Sequence, residues 1–257
     1  MRSFIQPALI ALSCLAATGP TCWAAEDNRF ETYAGADYDS RSASLTTSTV
    51  WSFLGPVAES GPRIRLDGLA NIYGETDANV FSRGFQAADL KGISGLMAGY
   101  QFEYGPLWYK LYAGAAYQLQ ARVIWQAGQV VEQQAWGATA TMDIYWQVSD
   151  RVWASGGASW MQPDNASSLY SRGAYELYRA SCGLKFSAGA EAAVAMSNAD
   201  GFKEGRALNL YNDYVRGGAL INLRYGVNDL TLSGGMSQAS DEAAWHPYAT
   251  LRFGRQF

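Results

Sequence analysis

The closing stretch of the chain, Trp245 to Phe257, alternates apolar and polar side chains. Trp245, Pro247, Ala249, Leu251 and Phe253 fall on one side; His246, Tyr248, Thr250, Arg252 and Gly254 fall on the other. Side chains on a strand point to opposite faces in turn, so this segment has one greasy face and one wet face. Its last residue is aromatic, Phe257. A two-faced strand with that ending, in a chain that opens on a secretory-type leader, has the pattern of an outer-membrane β-barrel. Arg255 departs from the pattern by taking a place on the apolar side.

The same grammar recurs along the chain. In Arg63 to Gly74, Ile64, Leu66, Gly68, Ala70 and Ile72 oppose Arg63, Arg65, Asp67, Asn71 and Tyr73. Between Trp136 and Trp146 the apolar face carries a tryptophan at each end. That spacing suits a tilted strand crossing an apolar band with an aromatic girdle at each edge. Val152 to Trp160 follows after the short turn Gln147–Arg151, which predicts a hairpin. Further strands are predicted at Phe30–Tyr38, Leu45–Leu54, Leu90–Phe102, Leu107–Leu119, Leu169–Tyr178, Leu184–Val194, Ala219–Tyr225 and Leu230–Met236, with Asn228-Asp229 as the turn between the last two. About twelve strands result, an even number that brings both ends of the barrel to one side. Longer connections (Glu75–Asp89, Gln120–Gln133, Met161–Ser168, Ser197–Asn212) alternate with shorter turns, as in a transmembrane barrel.

Residues 1–25 read as a signal peptide: Arg2 is the basic start, Pro7–Ala17 a short apolar stretch, and Trp23-Ala24-Ala25 a small-residue end. Residues 26–257 then form a single β-barrel domain, which places the protein in the outer membrane after export. Cys14 and Cys22 belong to the leader, which leaves Cys182 without an intrachain disulfide partner. No segment after the leader has 18 uninterrupted apolar residues, so helical spans are excluded. With a net charge of −4 there is no basic footprint for nucleic acid. A secreted β-sandwich or lipocalin-like barrel is the soluble alternative.

Charged residues scattered singly on the polar faces are costly in lipid and comfortable in a wet lumen. They define a predicted lumen lining of Arg63, Arg65, Asp67, Lys110, Asp143, Tyr145, Arg172, Glu176, Lys185, Glu191, Arg224 and Arg252. Two readings follow: a plug of mutual ion pairs, or a hydrated path whose aromatics (Tyr73, Tyr145, Trp153, Tyr170, Tyr178, Tyr248) stack on sugar rings. Chemistry is sparse. His246 is the single histidine, near Ser233, Ser237, Asp241 and Glu242, and a hydrolase would need such a set, but no serine sits in a nucleophile elbow. One histidine and one cysteine do not make a transition-metal site, and Asp37, Asp39, Asp77 and Asp200 lack EF-hand spacing. No cofactor is expected.

Several stretches resemble the cellulose biosynthesis protein BcsS family: GPRIRLDG (Gly61–Gly68), LMAGYQ (Leu96–Gln101), KLYAGAAY (Lys110–Tyr117), ASGGASW (Ala154–Trp160), LSGGM (Leu232–Met236) and PYATLRF (Pro247–Phe253). They span roughly residues 30–257 in order. The resemblance implies an outer-membrane β-barrel associated with bacterial cellulose, an exopolysaccharide, and it carries no catalytic residues. The partners it implies are outer-membrane lipid, a cellulose or glucan chain, and other cellulose-synthesis subunits. The expectation is therefore a non-catalytic scaffold or conduit. The alternatives are a generic porin-like or structural barrel, and a lipid or glycan hydrolase using His246.

Overall fold

A computed structural model describes residues 28–39, 42–74, 87–124, 129–163, 165–197, 213–239 and 243–256. The leader, Asp241, Glu242 and the terminal Phe257 lie outside the described residues. Among the described residues there are twelve strands: β1 (Phe30–Asp39), β2 (Ser42–Ser52), β3 (Gly61–Gly74), β4 (Ala87–Tyr104), β5 (Leu107–Ile124), β6 (Gln129–Gln147), β7 (Val152–Met161), β8 (Ala166–Arg179), β9 (Lys185–Ser197), β10 (Tyr214–Tyr225), β11 (Asn228–Ala239) and β12 (His246–Gln256). Each pairs antiparallel with its sequence neighbours, and β1 pairs with β12 to close the barrel. Closure removes the sheet edge, which hydrocarbon cannot satisfy with hydrogen bonds.

The distribution of polarity is inverted relative to a water-soluble barrel. Leu66 and Leu96, paired across β3 and β4, are 57% and 60% exposed on the outside. Arg63 and Gln118, on the inner face, are each 2% exposed. Apolar side chains left outward and polar ones held inward are stable only if the exterior meets lipid. Aromatic rings rim the apolar band: Phe30 stacks with Trp51 and Phe102 with Tyr109 near the short turns, and Tyr117 meets Trp136 at the opposite edge. Arg255 pairs in register with Thr32 and Asn228, next to the β10–β11 turn.

Several boundaries differ from the sequence expectations. β5 runs on to Ile124 and β6 starts at Gln129, so the predicted loop Gln120–Gln133 is largely ladder. The β7–β8 connection is residues 162–165 instead of Met161–Ser168, and β10 starts at Tyr214 rather than Ala219. The alternation of long and short connections is correspondingly uneven. The cause is physical: outward apolarity stops at the edge of the lipid band, while backbone pairing continues past it at no cost. The β10–β11 turn is Gly226-Val227, with Gly226 at φ 56°, while Asn228 and Asp229 pair with Tyr225 and Arg224. Glycine takes that left-handed backbone without a Cβ clash.

Candidate functional site: the barrel lumen

The end of the barrel bearing the short turns is stoppered by one of them. Val57, in the connection between β2 and β3, is 2% exposed and packs against Val50, Met97 and Tyr112 inside the wall. Arg63 holds it there: its Nη2 donates to the carbonyls of Pro56, Val57 and Glu59. Gln101 Nε2 donates to the Val57 and Glu59 carbonyls at 3.0 and 3.2 Å. The Val57 N–H in turn reaches the Asn28 carbonyl. Arg63, an expected lumen residue, therefore clamps a backbone turn.

Above this stopper, ion pairs and rings bridge the lumen. Arg65 on β3 grips Asp67 at 2.7 Å and reaches Asp143 on β6 at 2.5 Å. Tyr170 on β8 donates to the other Asp143 oxygen at 3.2 Å, and the guanidinium groups of Arg172 and Arg252 lie 5.3 and 5.9 Å from its ring centre. Arg172 pairs with Glu191 on β9 at 3.1 Å. Glu191 also accepts from Ser233 on β11 at 2.8 Å and from Tyr248 on β12 at 3.0 Å. Arg216 on β10 sits over Tyr248 and pairs with Asp37 on β1 at 3.2 Å. Lys110 on β5 pairs with Glu31 on β1, which also accepts from Tyr33. The network thus joins walls that are far apart in the chain. Glycines make room for its rings: a Cβ on Gly157 would come within 2.5 Å of the Tyr170 ring, and one on Gly99 within 2.5 Å of Tyr112.

Beside the stopper, at the same end, a cavity of about 350 Å³ opens among the β6–β7, β8–β9 and β10–β11 turns. Tyr145, Glu176, Lys185 and Arg224 all lie at this end, and the last three line the cavity with Trp153, Ser187 and Asn222. Trp108, Tyr145 and Trp153 stack in a row across β5, β6 and β7. Trp153, Ala174 and Leu220 pack together with Tyr145 against them, Leu220 being the inward residue next above Asn222. Arg224 pairs with Asp229 at 3.2 Å and lies over Tyr145.

A bulge shapes this cavity. The β8–β9 register slips between Glu176 and Tyr178, so Tyr178 pairs with outward Phe186 and is 60% exposed. The expectation of a lumenal Tyr178 is corrected accordingly: one extra residue turns the ring out. The same slip brings Arg179 inward, where its Nε and Nη2 grip Glu176 at 2.6 and 2.9 Å. Simple alternation missed Arg179; an Leu177-Tyr178 pair of neighbouring apolar residues was the available sign. Arg216, Glu31 and Asp37 were also absent from the expected lining, although each sits alone on a polar face.

The remaining sequence candidates are dispersed. The β11–β12 register sets Ser237 opposite His246, near the end away from the short turns. Asp39 accepts from the Ser42 N–H at 2.7 Å. The side chain of Tyr73 and residues Asp77 and Asp200 lie outside the described residues. Among the described residues, no three His, Cys, Asp or Glu side chains cluster as metal ligands.

No protein-family model matches the sequence, and no curated protein does. Several solved structures are similar to this chain. LpxR from Salmonella typhimurium is 9% identical with a TM-score of 0.55, the match covering 88% of this chain and 100% of that one. The toluene transporter TodX of Pseudomonas putida is 9% identical with a TM-score of 0.48, covering 91% and 90%. The β domain of the Bordetella autotransporter BrkA is 12% identical with a TM-score of 0.46, covering 91% and 99%. At such identities the likeness is one of fold. This chain is a closed, twelve-stranded, antiparallel β-barrel of the outer-membrane class.

Proposed function

We propose that the protein resides in the outer membrane as a sealed, non-catalytic barrel that serves the production of an exopolysaccharide, cellulose, as a scaffold. The observation that favours the scaffold over the conduit is the packing inside the lumen. Val57 and its turn fill one part of the short-turn end, Trp153 and Leu220 pack together in the other, and charged pairs bridge the space between. This packing supports a scaffold over a conduit for a glucan chain. In bacterial outer-membrane barrels the short turns face the periplasm, so the stopper faces that side. The link to cellulose is supported by the BcsS-like stretches, whose positions run from Gly61 to Phe253.

In planar bilayers the purified protein is expected to give no stable conductance steps. Steps should appear when Trp153→Ala is combined with Arg65→Ala and Asp143→Ala, which remove a ring and one bridge together. Regular steps from the unaltered protein would replace the scaffold with a pore. Deleting the gene should reduce extracellular cellulose or disorganise its fibres, and His246→Ala should restore both on complementation. Unchanged cellulose after deletion defeats the cellulose assignment, and failure of His246→Ala to complement points to the hydrolase instead.

A further inference from the structure

The part of β6 farthest from the short turns is a strand with an open edge. Gln129–Gly137 ladders with β5 along one side, while β7 reaches only to Thr139, which pairs with Met161. Elsewhere on this rim, among the described residues, no strand overhangs its neighbour by more than two residues. In an antiparallel strand the N–H and C=O of one residue point to one side and those of the next to the other. Ala138 fixes the sense. Its N–H donates to Gln162 Oε1 at 3.0 Å, and its carbonyl accepts from the Gln162 N–H at 2.9 Å. Val130, Glu132, Gln134 and Trp136 therefore turn their backbone groups to the open side, where no described strand meets them.

Long edges are normally blunted by proline, lysine, a bulge or a covering element. Between Gln129 and Gly137 there is no proline, no lysine and a single charge, Glu132, and the register with β5 is unbroken. The open groups recur at every second residue, about 6.7 Å apart. Another β-strand presents the complementary donors and acceptors at that same period. Gln162 already supplies one step of the pattern, exchanging both bonds with a single residue as an antiparallel partner does. We infer that this edge of β6 docks an extended segment of another polypeptide, which adds one more antiparallel strand to the wall. On the outer face the segment meets Val130 and Trp136, 57% and 74% exposed, which favour β-branched or aromatic partners. Glu132 stands between them, exposed and in no ion pair among the described residues, so the segment carries a lysine or arginine at its centre. A second copy of this chain in the same membrane does not fit. Turned about the membrane normal, its β6 runs in the same sense with the opposite tilt, so strands tilted by roughly 40° would cross at about 80° and could not ladder. The inference rests on strand register and is independent of the cellulose reading.

The probe is a short synthetic peptide alternating valine and threonine with a central lysine. Amide hydrogen exchange of the full-length protein in detergent is followed by NMR with and without it. The peptide should slow exchange at Val130, Glu132, Gln134 and Trp136, while Val131, Gln133 and Ala135, whose N–H groups face β5, should be slow in both samples. Gln134→Pro removes a donor from the open side and leaves the β5 ladder intact, as edge strands tolerate; it should weaken the peptide about tenfold. Glu132→Lys should reverse the preference between this peptide and one with a central glutamate. Heat-modifiable migration checks that both variants are folded. Four results would each overturn the assignment: no slowing in the folded protein, equal binding of a peptide methylated on every backbone nitrogen, unchanged affinity in folded Gln134→Pro, or slow exchange of the four amides before any peptide is added. None of them alters the conductance or cellulose measurements, so the two readings fail separately.

Discussion

Glu191→Ala is expected to destabilise the folded barrel by about 3–5 kcal/mol, the cost of breaking a buried charge pair by removing one partner. Only 4% of the Glu191 side chain is exposed, and 11% of its partner Arg172. Alanine leaves the Arg172 guanidinium inside the lumen with the Tyr170 ring beneath it and no carboxylate. It also strands the hydroxyls of Ser233 and Tyr248, which both donate to Glu191. Glu191→Gln retains an acceptor oxygen, so it should cost less. Reversible urea unfolding in lipid vesicles measures the difference, and the temperature at which gel migration shifts gives a second reading. Equal stability of the alanine variant and the parent would mean that the lumenal network is ornamental.

The second large effect is on the opposite face. Leu96→Arg should cost about 2–4 kcal/mol, because a cation at the middle of the lipid band is placed in hydrocarbon. Leu96 is 60% exposed and its cross-strand partner Leu66, 57% exposed, lies five residues along β3 from the short-turn end. Tyr104→Arg supplies the control: Tyr104 is 78% exposed beside the β4–β5 turn, where the cost falls to about 0–1 kcal/mol. The same vesicle measurement reads both. Equal effects at the two positions would place the lipid band elsewhere and remove the membrane orientation given above.

The face of each strand was legible because alternation is local: Ile64, Leu66 and Ile72 against Arg63, Arg65 and Asp67 needs no knowledge of the rest of the chain. Lumenal charge was legible for the same reason, since Lys185 and Glu191 stand alone among apolar neighbours. What those charges touch was not. Arg216 and Asp37 meet only because β12 pairs with β1, across 179 residues of sequence. The stopper was hidden more thoroughly. Gly55–Pro62 reads as an ordinary turn, and the groups that hold Val57 inside are backbone carbonyls common to every sequence. The β8 bulge was missed because a strict period of two has no place for an extra residue.

Three neighbouring strands outrun the rest. β4, β5 and β6 are 18, 18 and 19 residues long, while β7 has 10. With Trp136 marking the girdle, the residues from Gln129 to Ala135 continue for about 18 Å beyond it, taking roughly 3.3 Å per residue and a 40° tilt. The barrel therefore stands taller on one side, where β5 is laddered along both edges while Gln129–Gly137 of β6 ladders with β5 alone. Among the described residues, the rim away from the short turns rises along β4–β6 and drops at β7, which gives the molecule a front and a back within the plane of the membrane.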